Sequence, residues 1–583
     1  MSFLWYNLLR KGYFYMNVNE LFKKDEEITL ESYLKKCNIK DIKEFCNPSG
    51  KYLDNCFLYE DIRSAVAEVK YLLNYSNSTI VIVQDADLDG ICSTVILYQY
   101  LSNLNPNWNI RILIHKGKER GLSDEDIMND IMLLHPDLVF VPDAGTNDKI
   151  QAEELCEAGI GLVVIDHHNY DTPIEKGTLI NNQNPNYKVQ RDGSGTLVTH
   201  KFLQAMDIEF NLNWSSFCID LVALSLISDS MNMNNMENRT YYHYGLETID
   251  CVQNEFLRQC IFKFIGDKEY TQRDIAFKIV PKFNSIVRSK DQILKQRLIY
   301  AFLGQDNIEE VLDLCAEAHK NQIETVNNII EANIGKIKEI ADNNLIVLSC
   351  DDMPRSYSGL IAGKVMNMCD NKPTIVGKII DGEFIGSLRS PIPLQEDLDK
   401  NELIEWCHGH AESAGICIKE TNIDNIVEYY NGLNLSYSPQ IDVLKSYSIN
   451  DIPNYLFDEF GAKIGVIWGK EIAEPQFHIV LDYNPINMTI MGKSKTTLKL
   501  KQNGIDIVWF FADKKKKEKL KLGNVINDEF VYNPIDGKYI LEIIGTLGIN
   551  NWNGRQYNQI IVNDFEIKPK RVIKPSDVFR LTK

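Results

Sequence analysis

The sequence predicts a multidomain α/β protein in which a parallel-sheet lobe is joined by a long helix to a smaller α/β lobe, with an all-β end behind them. Three observations predict it. Between about 60 and 250, short β-rich runs ("TIVIVQ", "DLVFVPD", "GLVVIDHH") alternate with amphipathic stretches ("DIRSAVAEVKYLL", "GICSTVILYQYL", "VTHKFLQAM"), the pattern of βαβ units around a parallel sheet. Between about 305 and 342, "NIEEVLDLCAEAHKNQIETVNNIIEANIGKIKEIA" has no Pro and carries apolar residues at helical spacing. Over the last 150 or so residues, alternating strands ("FHIVLDY", "TTLKLKQ", "IDIVWFFA", "YILEIIGTL", "YNQIIVNDFEI") are separated by Asn/Gly turns, which suits a small barrel or sandwich.

In chain order, residues 1–60 read as an N-terminal extension, 61–304 as the first lobe and 305–342 as the connecting helix. Residues 343–432 form the smaller lobe, with "NLIVLSC" and "PTIVGKI" as strands and "GLIAGKVMNMC" as a helix, and 433–583 form the all-β end and its tail. A chain of 583 residues with 44% hydrophobic content can build several cores of this size. The opening "MSFLWYNLLRKGYFYM" is broken by Asn7, Arg10 and Lys11 and makes a poor signal peptide, with Met16 as an alternative start. No apolar run approaches the roughly 20 residues of a membrane helix, so no membrane partner is expected.

The thirteen cysteines stand singly with no CxxC spacing, which indicates neither a zinc site nor a disulfide framework and suits reduced thiols in a cytoplasmic protein. A net charge of −19 argues against coating nucleic acid by global charge. Positive charge is local: residues 493–521 carry ten lysines against three acids, and 282–297 carry five basic residues against one acid. By itself the tract "KKKKEKLK" at 514–521 reads as a solvated loop.

Three strand-like runs of the first lobe end on acid: "VIVQDADLD" at Asp85, Asp87 and Asp89, "LVFVPD" at Asp143, and "LVVIDHH" at Asp166 followed by His167 and His168. Asp229 follows the apolar run "LVALSLI". An Asp at one such junction is ordinarily a helix cap. Recurrence at three strand ends is not explained that way, because ligands of open parallel sheets bind beyond the carboxyl ends of the strands, where these residues converge. So many carboxylates in one pocket repel unless cations lie among them. An oxygen-rich set with imidazole suits manganese or magnesium better than zinc. Two such ions about 3.5 to 4 Å apart clamp the attacking and leaving oxygens of a phosphoryl transfer.

"DADLDG", "PDAGTND", "IDHH" and "DLVALSLISDSMNMNNMENR" resemble, in order and spacing, the four motifs of the DHH phosphoesterase superfamily, and within it the RecJ family of single-strand-specific 5′ to 3′ DNA exonucleases. "FCNPSGKYLDNCFLYEDIRSAVAEV" resembles that family's lead-in segment, and "FKIVPKFNSIVRS" its "FxxxPxxNAxGR" stretch. "GLIAGKV", "GSLRS" and "HGHAESAG" look like its DHH-associated substrate-binding domain, and "TTLKLKQNGIDIVWFF" and "NNWNGRQYNQIIVNDFEI" like its OB-fold end, so the resemblance runs from about 40 to 570. It implies a DHH catalytic lobe, a DHH-associated lobe and an OB-fold-like lobe.

Residue by residue, the resemblance implies two divalent cations, Mn²⁺ or Mg²⁺. Asp87, Asp89, His167 and Asp229 are ligands, Asp143 is a bridge, and Asp85 is a further ligand or its support. His168 then faces the scissile phosphate or leaving oxygen, and Asp166 orients the histidine pair. Arg389, Ser390, Gly409 and His410, with Arg288 and Trp552, are the expected substrate contacts; a guanidinium suits bidentate phosphate binding. Trp509, Phe510, Trp552 and Tyr557 are stacking candidates, about half of them core by alternation.

The departures are "NSIVRS" for "NAAGRL", "GSLRS" for "GSGRS", and His408 where a glycine is usual; they bear on substrate preference. The implied function is hydrolysis of single-stranded DNA to 5′-mononucleotides by a monomer, with single-strand-binding or helicase proteins as further partners. The alternatives are a phosphodiesterase of short oligonucleotides or RNA, and a non-cleaving single-strand binder.

Overall fold

The computed structural model describes residues 16–570 apart from 117–119, 268, 434–440, 462–467, 469–471, 493–494, 511, 527–528 and 553–554, and apart from the side chains of His410 and Trp552. The stretch before Met16 therefore lies outside the described residues. The chain divides into two compact units: one runs from Asn47 to Tyr437, and the other joins the chain up to Cys46 with the chain from Ser438 onward.

In the larger unit, "TIVIVQ" forms strand β1 (Thr79–Gln84), which leads into helix α1 (Leu88–Leu104) and then strand β2 (Asn109–Ile114). β3 (Leu138–Pro142), β4 (Gly161–Asp166) and β5 (Thr178–Asn181) complete a five-stranded sheet of order β2-β1-β3-β4-β5, parallel throughout. Every residue of β3 is buried, as expected when helices cover both faces of a parallel sheet and leave no solvated side to alternate toward. From β1 the chain moves outward to β2 and then returns to the other side at β3. The strand order thus reverses between β1 and β3, and a crevice opens at their carboxyl ends.

Helices α2 (Gly195–Phe210) and α3 (Ile219–Ser228) pack with α1 beside this sheet. "LVALSLI" is the interior of α3, buried on all sides. Within α2, His200 is buried, with Nδ1 3.0 Å from the Tyr241 hydroxyl and Nε2 3.0 Å from the Ser215 carbonyl oxygen. Burial, reinforced by Lys201, pushes its imidazole down to about 4. Below the ordinary histidine value the unfolded chain takes up a proton that the folded chain refuses. The stability this group contributes is therefore present above about 6.5 and lost as pH falls toward 4, by about 3 kcal/mol in full. A His200→Gln variant has no such titration, so its stability deficit relative to wild type shrinks between pH 7 and pH 4.5 in paired urea unfolding. A deficit that stayed constant would contradict a neutral buried imidazole.

Helix α4 (Val280–Val287) ends at Arg288, and α5 (Ile308–Ala332) forms the 25-residue connector. The helical pattern continues to Ile340 but as a second helix, Ile334–Ile340, because Asn333 interrupts the first. The Asn333 side chain donates to the Ile329 carbonyl at 2.9 Å, competing for an acceptor that the backbone would otherwise use.

The smaller lobe of this unit contains β6 (Ile346–Ser349), α6 (Ser358–Met368), β7 (Thr374–Ile380), β8 (Glu383–Arg389), β9 (Trp406–His410) and β10 (Ser413–Lys419). Its sheet runs β9-β10-β8-β7-β6, with only β6 and β7 parallel. One face packs Phe384, Leu388, Ala414, Ile416 and Ile418 into a core. On the other, Val376 of β7 meets Ile361, Ala362 and Val365 of α6.

In the second unit, β11 (Phe477–Tyr483), β12 (Thr497–Gln502), β13 (Ile505–Trp509), β14 (Tyr539–Trp552) and β15 (Arg555–Pro569) form, with short strands Ser446–Ser448 and Thr489–Met491, a largely antiparallel seven-stranded sheet. A bulge between Ile544 and Gly545 bends β14 against β15. The strand Val18–Glu20 pairs in parallel with Ile441–Val443, so part of the N-terminal extension is built into this unit. The lysine tract forms a short helix, Lys514–Lys519, instead of a loop. The cause is local: the Asp513 side chain accepts the Lys516 amide at 2.7 Å and caps it. All thirteen cysteines are free thiols. Among the described residues no helix is long and apolar enough to cross a membrane.

Candidate metal centre

"DADLDG" lies at the exit of β1. Asp85 and Asp89 are fully buried, and Asp87 caps α1, its Oδ1 accepting the Gly90 amide at 3.0 Å. Gly90 is there because of close approach rather than backbone freedom: a Cβ at this position would lie 2.4 Å from the Asp85 carbonyl oxygen. Any side chain would push the start of α1 away from β1 and separate the three carboxylates.

Asp143 follows β3 in a left-handed conformation, φ 71°, which non-glycine residues adopt rarely and which turns its carboxylate toward the start of α2. There Gly195 leaves room, since a Cβ would sit 2.2 Å from Asp143 Oδ1. The first turn of α2 also holds Asp89: Oδ2 accepts the Gly195 amide at 2.7 Å, and Oδ1 accepts the Thr196 amide at 2.9 Å and its hydroxyl at 2.5 Å. A helix N-terminus is a favourable seat for a carboxylate. Asp229 ends α3 and brings its Oδ2 to 3.6 Å from His167 Nε2. The same nitrogen lies 3.2 Å from Asp143 Oδ1 and 3.8 Å from Asp89 Oδ2.

Asp166 faces away from this cluster and organises the turn behind it. Its Oδ1 accepts the amides of His167 at 2.7 Å and His168 at 3.1 Å, and lies 2.8 Å from His168 Nδ1. Its Oδ2 accepts the Thr146 amide at 3.1 Å and hydroxyl at 2.5 Å. Against the cost of burial, His168 and these hydrogen bonds hold Asp166 well below the usual carboxylate range, and Asp166 in turn raises the imidazole of His168 to about 9 although burial opposes its charge. An Asp166→Asn variant puts an amide where one oxygen must accept three N–H groups. Metal affinity, read as the Mn²⁺ concentration giving half-maximal thermal stabilisation, should weaken roughly 10- to 100-fold. An unchanged midpoint would show that Asp166 does not position the histidines.

The electrostatics fit a cation-binding cluster. Burial pushes Asp85 up to about 7 and raises Asp143 and Asp229 well above their usual range, with the neighbouring carboxylates adding to each shift. Both carboxylate oxygens of Asp85, both of Asp143 and Nε2 of His167 are buried with no hydrogen-bond partner. Orphaned acceptors this numerous are rare in a native interior unless something positive is to sit among them. The ligand atoms gather into adjacent groups, Asp85 with Asp87 and Asp143, and Asp89 with His167 and Asp229, each within 4.8 Å; Asp143, His167 and His168 form a third. Hard oxygen donors with an imidazole match a divalent cation such as Mn²⁺ or Mg²⁺.

Five positions at the site escaped the sequence reading. Arg120, on the connection after β2, lies 3.3 Å from Asp87 Oδ2 and 3.7 Å from Asp85 Oδ2, and its Nη1 is 2.9 Å from His168 Nε2. It is the cation that partly neutralises the cluster. Thr146 and Asn181 support Asp166 and His168, Asn181 Nδ2 donating to Thr146 Oγ1 at 2.7 Å and to the His168 carbonyl at 2.9 Å. Gly195, with Thr196, seats Asp89; the "GSGT" stretch opening a helix was the available signal.

Of the expected substrate contacts, Arg288 at the end of α4 lies within electrostatic reach of Asp87, and Arg389 at the end of β8 within reach of Arg288. The guanidinium of Arg389 lies over the start of α6, where a Cβ on Gly359 would be 2.5 Å from Nη2. The Ser390 hydroxyl serves its own turn, donating to the Ile392 carbonyl at 2.6 Å and accepting its amide at 3.2 Å. Gly409 has φ 141° in β9, and the side chains of His410 and Trp552 lie outside the described residues. In the second unit Trp509 is buried, Phe510 is exposed, and Tyr557 has the Lys501 ammonium 5.9 Å from its ring centroid.

Comparison with known proteins agrees with this architecture. Residues 79–226 match the DHH family, N-terminal domain, and residues 458–564 match the RecJ OB domain. An SPbeta prophage-derived protein of Bacillus subtilis (strain 168), named as a single-strand DNA-specific exonuclease, is 27% identical over 92% of this chain and 96% of its own length. The single-stranded-DNA-specific exonuclease RecJ of the same bacterium is 21% identical over 88% of this chain and 65% of its own length. The crystal structure of RecJ in complex with Mn²⁺ from Thermus thermophilus shares the fold, with a TM-score of 0.68 at 21% identity over 93% of this chain and 76% of that one. Residues 79–226 thus carry a DHH-family N-terminal domain, and residues 458–564 a RecJ OB domain.

Proposed function

We propose that this chain is a RecJ-like exonuclease that enters single-stranded DNA at its 5′ end and hydrolyses it to 5′-mononucleotides with two divalent cations. The observation that carries this reading is the pair of adjacent ligand groups, Asp85, Asp87 and Asp143 on one side and Asp89, His167 and Asp229 on the other, with Asp143 3.2 Å from His167 at their junction. When bound, such ions draw charge from the scissile phosphate and make water nucleophilic at neutral pH. The protein's own part is positioning. Asp166 holds His168 by Nδ1, and its Nε2, 2.9 Å from Arg120 Nη1, faces the phosphate or leaving oxygen together with that guanidinium. Arg288 and Arg389 bind backbone phosphates as the strand approaches. Relatives named as single-strand DNA-specific exonucleases and the RecJ OB domain support DNA single strands as the substrate over dinucleotides.

The test is incubation of the purified chain and Mn²⁺ with 5′-labelled single-stranded DNA, duplex DNA, RNA and dinucleotides. Release of labelled mononucleotide from the single strand alone is the expected outcome. Cleavage of dinucleotides alone would replace this reading with that of a small-substrate phosphodiesterase, and binding without cleavage would replace it with that of a single-strand binder.

A further inference from the structure

In the smaller lobe of the larger unit, side chains at directly paired positions of an antiparallel ladder share a sheet face. Arg389 of β8 pairs with Ser413 of β10; two residues along, Ser387 pairs with Gly415, which pairs with His408 of β9. Trp406, two residues from His408, lies on the same face. This is the face opposite Phe384 and Ile416, and α6 covers it from β6 to β8, the Ser358 hydroxyl at its start lying 2.7 Å from that of Ser387. Over β9 and β10 it stays open, and it is aromatic there. Trp406 lies against Gly415, whose Cβ would be 3.3 Å from Trp406 Cζ3, and His408 stacks on Trp406 with ring centroids 5.5 Å apart and planes inclined by 28°. The His408 side chain is 74% exposed, so one ring face is free, and the nearest ionic partner, Asp399, is 3.9 Å away at its edge.

Packing does not call for this arrangement, since a histidine stacked in water on a tryptophan buries little. A flat ring on a rigid strand, continuous with the face that bears Arg389, is what a nucleobase stacks upon. We propose that Trp406 and His408 form a base-stacking shelf for the single strand whose phosphate Arg389 binds, and so set substrate preference at that position. This rests on the single-strand reading above. The shelf depends on stacking, and hence tolerates all four bases, purines better than pyrimidines because of their larger π-face.

The test measures equilibrium binding of a 5′-phosphorylated oligonucleotide to the intact chain with metal withheld, using a set in which a single abasic site is moved through the first nucleotides. Wild type should lose roughly tenfold in affinity when the abasic site reaches the shelf. His408→Gly and Trp406→Ala should bind the intact strand roughly tenfold more weakly and be indifferent to the abasic site there, while His408→Phe restores both affinity and sensitivity. His408→Gly serves where Trp406→Ala does not fold. If the variants bind like wild type, or keep the abasic penalty, the shelf is overturned while the exonuclease reading stands. If wild type binds no single strand at all, the exonuclease reading fails and the shelf's ligand with it.

Discussion

Replacing Asp143 by Asn should lower metal-dependent hydrolysis at least about 100-fold and, at the same time, raise the melting temperature of the metal-free chain by about 2 °C. The two effects have one origin. Asp143 is fully buried, and neither oxygen has a hydrogen-bond partner. Burial and then Asp89 and Asp87 raise its carboxyl far above the usual range, so at neutral pH the metal-free fold must either protonate it or tolerate repulsion. Asn removes that cost, about 1 kcal/mol, and unlike Ala it tolerates the left-handed backbone at φ 71°. What the variant loses is stabilisation by metal. Saturating Mn²⁺ at 100 times its dissociation constant stabilises a binding fold by about 2.7 kcal/mol, and that increment should shrink sharply in Asp143→Asn. Thermal melts with Mn²⁺ and with chelator, alongside the nuclease assay, check both halves. A variant that is less stable without metal, or within tenfold of wild-type activity, would sink the assignment.

The other large effect belongs to a residue with no side chain. Gly195→Ala should abolish hydrolysis to the same extent and destabilise the fold by about 2 to 3 kcal/mol, the cost of forcing an atom into a packed site. Its Cβ would lie 2.2 Å from Asp143 Oδ1 and 2.7 Å from Asp143 Cβ, so either α2 or Asp143 must move. Displacing α2 also pulls the Gly195 and Thr196 amides from Asp89, where they donate at 2.7 and 2.9 Å. One methyl group therefore disturbs a carboxylate of each ligand group. Gly335→Ala is the control: it sits exposed in the helix Ile334–Ile340 with no atom within 4 Å of an added Cβ, and should gain about 0.5 kcal/mol with activity unchanged. Urea unfolding and initial rates of both variants decide the matter. Equal effects at the two glycines would mean that close approach at α2 is irrelevant.

Much of the site was legible because the acids stand where local pattern ends. The runs before Asp85, Asp143 and Asp166 are apolar in their interiors and bounded by turn residues, and they are strands β1, β3 and β4 as that pattern implies. Arg120 was not legible: it sits in a Gly- and Lys-rich connection with no periodicity, and its approach to Asp85, Asp87 and His168 is a contact between segments far apart in the chain. Thr146 and Asn181 were missed for a related reason. Each reads as an ordinary turn or strand-end residue until β4 pairs with β3 on one side and β5 on the other and brings them to Asp166 and His168. The strand Val18–Glu20 was hidden by distance, since its partner Ile441–Val443 lies more than 400 residues away and three residues carry too little pattern to announce a pairing.

The sequence by itself determined which strands end in carboxylates, which stretches are helical, and the βαβ order that brings strand ends to one edge, because each is set by periodicity and turn chemistry over a few residues. Only the tertiary structure decided which carboxylates share a ligand group, why Gly90 and Gly195 must lack side chains, and which sheet face Trp406 and His408 share with Arg389. Those are matters of strand register and helix approach on the scale of an ångström. They are settled by packing between segments far apart in the chain, for which no local pattern exists.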